Sequence, residues 1–224
     1  MKPTIGILGG MGAFAGLRLA KYLLDKAQDS KIMQDSDFPK FLLYNLPIKG
    51  MDETGITDPV LVKSQLFSAL KQMDIWGCNT VVIACNSVHC FYSELQESFS
   101  GKIVNLIDSA CDRVKSKSVG VLCSSTTRSL RLYEEALQRR GVTVVTSTDR
   151  EQQALNEAVL AAISGHSIRG NITDLEEIII AMTRRGAEQV IIGCTEIPLV
   201  LTSRITMDFI DAGQEAIKVA FGHG

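Results

Sequence analysis

The chain carries one pattern twice. Val81-Val82-Ile83-Ala84-Cys85-Asn86-Ser87 and Val190-Ile191-Ile192-Gly193-Cys194-Thr195-Glu196 are both β-branched apolar runs that end in a cysteine and polar residues. The two cysteines are 109 positions apart. A second matched pair, Ile5-Gly6-Ile7-Leu8-Gly9-Gly10 and Val119-Gly120-Val121-Leu122-Cys123-Ser124, is offset by 114. Two offsets so close indicate a duplicated unit. Continuous apolar runs of this length are the mark of parallel strands buried on both faces. Helical segments between them make the class α/β. The 224 residues suffice for two such units, each with its own core.

The pattern predicts helices over 13–28, 59–74, 87–99, 127–140 and 150–163, another ending near 185, and a last one over 211–221. Strands are predicted over 41–45, 79–84, 103–105, 118–122, 142–145 and 189–193. Asp58-Pro59 marks a helix start: the carboxylate caps free N–H groups and proline suits the first helical position. Gly165 and Gly170 mark a turn, with Asn171 or Thr173 as a cap. The expected architecture is two similar Rossmann-like α/β domains with mostly parallel sheets and a cleft between them. The first takes residues 1–112 plus 206–224, its final helix packing back; the second takes 113–205.

Composition removes several classes of function. A net charge of −2 leaves no electrostatic footprint for nucleic acid. No apolar run approaches the ~20 residues that span a bilayer, and the opening residues lack a signal-peptide core, so a cytoplasmic protein is expected. Six cysteines without a Cys-x-x-Cys pair agree with reduced thiols. Gly10, Gly12 and Gly16 after the first strand resemble part of a dinucleotide fingerprint. The second strand, however, ends Leu43-Tyr44-Asn45, without the acidic residue that grips a ribose. His89, His166 and His223 form no metal pattern with the cysteines. Neither a cofactor nor a metal is expected.

In open α/β sheets, ligands bind beyond the carboxyl ends of the strands. Cys85 and Cys194 are therefore expected to face one cleft from two sides. A carbon-bound proton next to a carboxylate is weakly acidic, and inverting that centre needs a base on one face and an acid on the other. A thiolate and a thiol can fill those roles and exchange them for the two enantiomers. A strand-to-helix turn, with its free N–H groups, is expected to lower a thiol's pKa. Asn86, Ser87 and Thr195 are short hydrogen-bonding side chains placed to hold a carboxylate. Cys78, Cys90, Cys111 and Cys123 lack such pairing and are read as structural. His89 is read as packing or supporting Cys85, and Glu196 as a cap or a water ligand.

Ala84-Cys85-Asn86-Ser87-Val88-His89, Gly193-Cys194-Thr195-Glu196-Ile197-Pro198 and Gly9-Gly10-Met11-Gly12 resemble the signatures of the aspartate/glutamate racemases that work without pyridoxal phosphate. The resemblance runs over essentially the whole chain. It implies two α/β domains with the site between them, a small amino acid as substrate, two-base proton transfer by Cys85 and Cys194, and a homodimer. It also implies substrate contacts from Met11, Asn86, Ser87, Ser124, Thr127 and Thr195. Ser124 and Thr127 read equally as a helix N-cap.

The chain departs from that pattern at instructive places. Ala13 stands where aspartate-specific members have proline, and Ser87 where threonine is usual. The segment Leu46-Pro47-Ile48-Lys49-Gly50-Met51-Asp52-Glu53 has no arginine to pair with a side-chain carboxylate. Lys49 offers only a point charge there. Ser164 occupies the place of a second basic residue, with His166 and Arg169 nearby. Two other functions stay open: an isomerase or decarboxylase of another small carboxylate on the same fold, and an amino-acid-binding protein without turnover.

Overall fold

The structure, a computed structural model, describes residues 4–30, 32–52, 54–164, 169–199, 201 and 207–222, with 169–174 described by their backbone only. Strand β1 (Ile5–Gly9) leads to helix α1 (Ala13–Asp29) and strand β2 (Phe41–Asn45). A short antiparallel hairpin, β3 (Met51–Asp52) with β4 (Gly55–Ile56), precedes α2 (Pro59–Ile75). Strand β5 (Thr80–Ile83) passes through a 3-10 turn into α3 (Tyr92–Ser98); β6 (Lys102–Val104) and α4 (Leu106–Cys111) follow. The second half runs β7 (Ser118–Cys123), α5 (Ser125–Ser129), α6 (Leu132–Gln138), β8 (Thr143–Val145), α7 (Asp149–Ser164), α8 (Arg169–Arg184), β9 (Gln189–Gly193), β10 (Phe209–Asp211) and α9 (Ala212–Gly222).

Two four-stranded sheets result, ordered β2-β1-β5-β6 and β8-β7-β9-β10. Every pairing in both is parallel. The two orders correspond strand for strand, so the duplication read from sequence is also a duplication of topology. Each sheet is covered on both faces. In β5 and the residue after it, Val81 and Ile83 join a core with Leu66, Leu70, Met73 and Leu95, whereas Val82 and Ala84 join one with Leu19 and Leu23. That alternation explains why the strand is apolar throughout. The Asp58 carboxylate accepts from the Leu61 N–H at 3.0 Å, with Pro59 at the first helical position, as the sequence predicts.

The last helix of each half packs on the other half. In α4, Ile107, Ala110 and Cys111 join a core with Val119, Val121, Tyr133 and Ile191 of the second sheet's layer. In α9, Ala216, Ile217 and Ala220 join Ile5, Ile7 and Val82 of the first. This corrects the expected division. Residues 106–111 were grouped with the first unit but pack with the second, and β10, grouped with the first, pairs with β9. Neighbours along the chain are not always neighbours in the core, and hydrophobic periodicity does not say which sheet a helix covers. The expected boundary at 205/206 lies outside the described residues, as do Gly165 and the side chains of Asn171 and Thr173.

Two expected helices are interrupted. The predicted 87–99 segment is a 3-10 turn (Ser87–Phe91) and then α3. The predicted 127–140 segment breaks at Arg131, whose φ of 53° is left-handed, into α5 and α6.

Candidate active site

Cys85 and Cys194 leave the carboxyl ends of β5 and β9, the equivalent interior strands of the two sheets. Both line one cavity of about 310 Å³ between the halves. The Gly10–Ala13 turn after β1, the β3–β4 hairpin and one face of α7 complete its wall. Of the eight residues expected in the site, Met11, Cys85, Asn86, Ser87, Ser124, Cys194 and Thr195 line this cavity. Thr127 does not. It stands behind Ser87 and Ser124 and closes a buried triangle of hydroxyls: Ser87 to Ser124 at 2.8 Å, Ser87 to Thr127 at 3.1 Å, and Ser124 to Thr127 at 3.0 Å. Ser124 also caps α5, its hydroxyl oxygen accepting from the Thr127 N–H at 3.3 Å, as the N-cap reading expects.

The halves are stitched together around the site. The Tyr133 hydroxyl donates to Asn86 Oδ1 at 2.7 Å, and Thr195 Oγ1 reaches the Ala84 carbonyl at 3.3 Å. The hairpin is tied to α5 by Thr126, whose N–H donates to the Thr54 carbonyl and whose hydroxyl accepts from Ile56. Gly55 allows this approach: its φ of 124° suits glycine, and a side chain would strike Thr126. Sequence reasoning missed the hairpin because its strands have two residues each.

His89 supports Cys85 from beneath. Its Nδ1 donates to the Cys85 carbonyl at 2.8 Å, and its Nε2 accepts from the Leu106 N–H at 3.2 Å. These bonds fix one neutral tautomer, and burial holds the imidazole pKa below its ordinary value. His89 thus links the Cys85 turn to the start of α4.

The electrostatics reverse one expectation. Burial, reinforced by the Glu196 carboxylate, pushes the Cys85 thiol up to about 12, although the Ser87 and Val88 N–H groups and the Ser87 hydroxyl favour its anion. Burial, again with Glu196, also raises Cys194, despite the Glu196 N–H. The turn donors are present as expected. Desolvation outweighs them, and sequence does not show desolvation.

Glu196 is the site residue whose role sequence reasoning understated. It is 6% exposed and lines the cavity. Its Oε2 accepts from the Cys194 thiol at 3.2 Å and faces the Thr195 hydroxyl at 3.1 Å. Burial raises its own pKa, against the pull of Cys194, Thr195 and Arg18. Gly12, with φ 61°, makes room for it: a side chain there would collide with Oε1.

The side-chain half of the cavity is apolar. Ile48 and Met51 come from the segment before and within the hairpin; Val159, Leu160 and Ile163 come from α7. Among the described lining residues the charged ones are Asp52 and Glu196, both acidic. Lys49 is exposed and outside the lining, its backbone paired with the Gln65 side chain. Ser164 is exposed at the end of α7. His166, His223 and the Arg169 side chain lie outside the described residues. Among the described residues no cluster suited to a metal ion occurs.

The family model of Asp/Glu/Hydantoin racemases matches residues 8–220. The chain belongs to this family. It is 24% identical over 200 residues to the broad specificity amino-acid racemase RacX of Bacillus subtilis, covering 88% of this chain and 87% of that protein. Two solved structures share the fold. An aspartate racemase homologue from Pyrococcus horikoshii has a TM-score of 0.80 at 22% identity, covering 100% of this chain and 99% of the other. An Asp/Glu racemase assigned as such in Yersinia pestis has a TM-score of 0.83 at 17% identity, covering 99% and 98%. The racemase family makes the chain an isomerase. No helix among the described residues is long and apolar enough to cross a membrane.

Tyr133 offers a test of how the site is held. The Tyr133→Phe variant leaves a buried amide oxygen unpaired and frees the Asn86 side chain to turn. We expect KM to rise about tenfold and stability to fall by ~1–3 kcal/mol, read by steady-state kinetics and urea unfolding.

Proposed function

We propose that the protein interconverts the enantiomers of a small amino acid without pyridoxal phosphate, by two-base proton transfer between Cys85 and Cys194. The observation that supports this reading most is the paired placement of those thiols at equivalent strand ends on one cavity. For one enantiomer, a thiolate on one side takes the α-proton while the thiol opposite delivers its proton to the other face. Atoms and charge balance, and the two sulfurs end with their roles exchanged. The Ser87 and Val88 N–H groups and the Ser87 hydroxyl stabilise the thiolate at Cys85; the Glu196 N–H does so at Cys194. Asn86, Ser87, Ser124 and Thr195 hold the amino acid, with Met11 against it and Thr127 bracing the hydroxyls. A cytoplasmic homodimer acting on a free small molecule, with neither nucleic acid nor membrane as partner, completes the reading.

Aspartate and glutamate are the first substrates to assay. A second reading is favoured by the lining itself. The apolar wall of Ile48, Met51, Val159, Leu160 and Ile163, with no cation among the described lining residues, suits an uncharged aliphatic side chain better than a carboxylate. The test is to incubate single enantiomers of aspartate, glutamate, leucine and methionine in D2O with pure protein. Inversion with one α-deuterium incorporated is expected for at least one of them. No exchange in any common amino acid refutes the racemase reading.

A further inference from the structure

Among the described residues, buried side-chain polar atoms without a partner occur on three residues: Arg18, Asn86 and Glu196. Buried polar atoms are ordinarily paired, so each exception needs a cause. Arg18 has one at hand, since its guanidinium lies 3.1 Å from the Asp211 carboxylate. Asn86 and Glu196 have none within the protein, and both line the cavity. Asn86 is 3% exposed and Glu196 6%. Their orphaned atoms are of opposite kind. Asn86 Nδ2 is a donor whose amide is oriented by Tyr133 through Oδ1. Glu196 Oε1 is an acceptor whose sister oxygen is engaged by Cys194 and Thr195.

A free amino acid presents the complementary pair on one carbon, a carboxylate and an ammonium. Resting on the reading of the site as an amino-acid site, we propose that Glu196 Oε1 binds the α-ammonium group, while Asn86 Nδ2 takes the α-carboxylate. The two contacts then fix the α-carbon between the sulfurs irrespective of the side chain, which meets the apolar wall. The arrangement also bears on the chemistry. Glu196 opposes a thiolate at both cysteines by its negative charge. An ammonium held against its free oxygen offsets that charge when substrate arrives. Arg18 is already committed to Asp211. Gly12 belongs to the same device, because any side chain there would occupy the place of Oε1.

The experiment measures binding, not turnover, so that it stands apart from the racemase reading. Calorimetry compares each amino acid with its des-amino analogue: leucine with 4-methylpentanoate, and aspartate with succinate. The wild-type protein is expected to bind at least one amino acid tenfold or more tightly than its analogue. Glu196→Gln is expected to weaken that amino acid at least tenfold and leave the des-amino acid within twofold, abolishing the preference. Glu196→Asp, which keeps the charge, is expected to recover part of it. Asn86→Ala is expected to weaken both members of the pair. Far-ultraviolet circular dichroism checks that each variant is folded. An unaltered preference in Glu196→Gln, an equal loss for both ligands, or no preference in the wild-type protein overturns the proposal. If the preference is found but no α-deuterium is incorporated, the ammonium contact stands and the racemase reading falls.

Discussion

Replacing either cysteine by alanine is expected to reduce inversion by at least ~10²–10⁴-fold, the range in which a positioned acid or base contributes. The two losses are not expected to multiply. Inversion needs removal and return of the proton in one event, so a site without either sulfur has already lost the coupled step. The half-reactions distinguish the residues. A Cys85→Ala protein keeps Cys194 and can exchange the α-proton of one enantiomer with solvent; Cys194→Ala does so for the other. Slow deuterium incorporation with retained configuration, opposite in hand for the two variants, is the expected signature, read by proton NMR in D2O. Both side chains are small and buried, at 6% and 7% exposure, so the substitution leaves little void and the fold is expected to persist. A variant that inverts its substrate at the wild-type rate would remove the two-base scheme. The rival isomerase or decarboxylase reading predicts instead no inversion of any amino acid by the unaltered protein. The binding-protein reading predicts no exchange in any form of the protein.

The parts of the site that were legible in sequence are those fixed by strand ends. A β-branched run that stops at a cysteine gives the strand, its burial and the side at which the next residues emerge. For that reason β2 and β9 have the predicted limits, and Cys85, Asn86, Cys194 and Thr195 sit on the cavity. What stayed hidden depends on distance in sequence. The side-chain wall comes partly from α7, whose Leu160 and Ile163 are 47% and 44% exposed although apolar. Two exposed aliphatics at a helical spacing were the available signal, but nothing local says which cleft they border. Strand β10 has three residues and carries no pattern of its own. The repeat could have revealed it, since β6 shifted by the spacing of the cysteine strands falls close to it. The thiol energetics were misread for a different reason. Turn donors are visible in sequence, whereas exclusion of water is a property of the assembled halves.

That exclusion of water has a consequence for the whole protein at alkaline pH. Cys85 and Cys111 are pushed up to about 12 by burial, and burial also raises Cys123 and Cys194. In the unfolded chain the same thiols ionise near their ordinary ~8.5. Above that pH the unfolded chain loses protons that the folded chain keeps, so the folded state binds more protons and stability falls as pH rises. Each such thiol contributes a slope of about 1.4 kcal/mol per pH unit once its unfolded form is fully ionised. Four of them together give a slope of about 5.5 kcal/mol per unit, against a total stability of order 5–15 kcal/mol. Urea unfolding at fixed temperature is therefore expected to show a nearly level free energy from pH 7 to 8 and a steep decline above about pH 9. On the acid side His89 acts in the mirror sense: held neutral by burial, it stabilises above its unfolded pKa, and that contribution is lost as pH falls. Cys111 lies in the α4 core, away from the cavity, and tests the assignment cleanly. Cys111→Ala is expected to lower stability at pH 7 modestly while reducing the alkaline slope by one thiol's share. A free energy that stays level to pH 10.5, or a slope unchanged in that variant, would show that these sulfurs ionise within the folded protein.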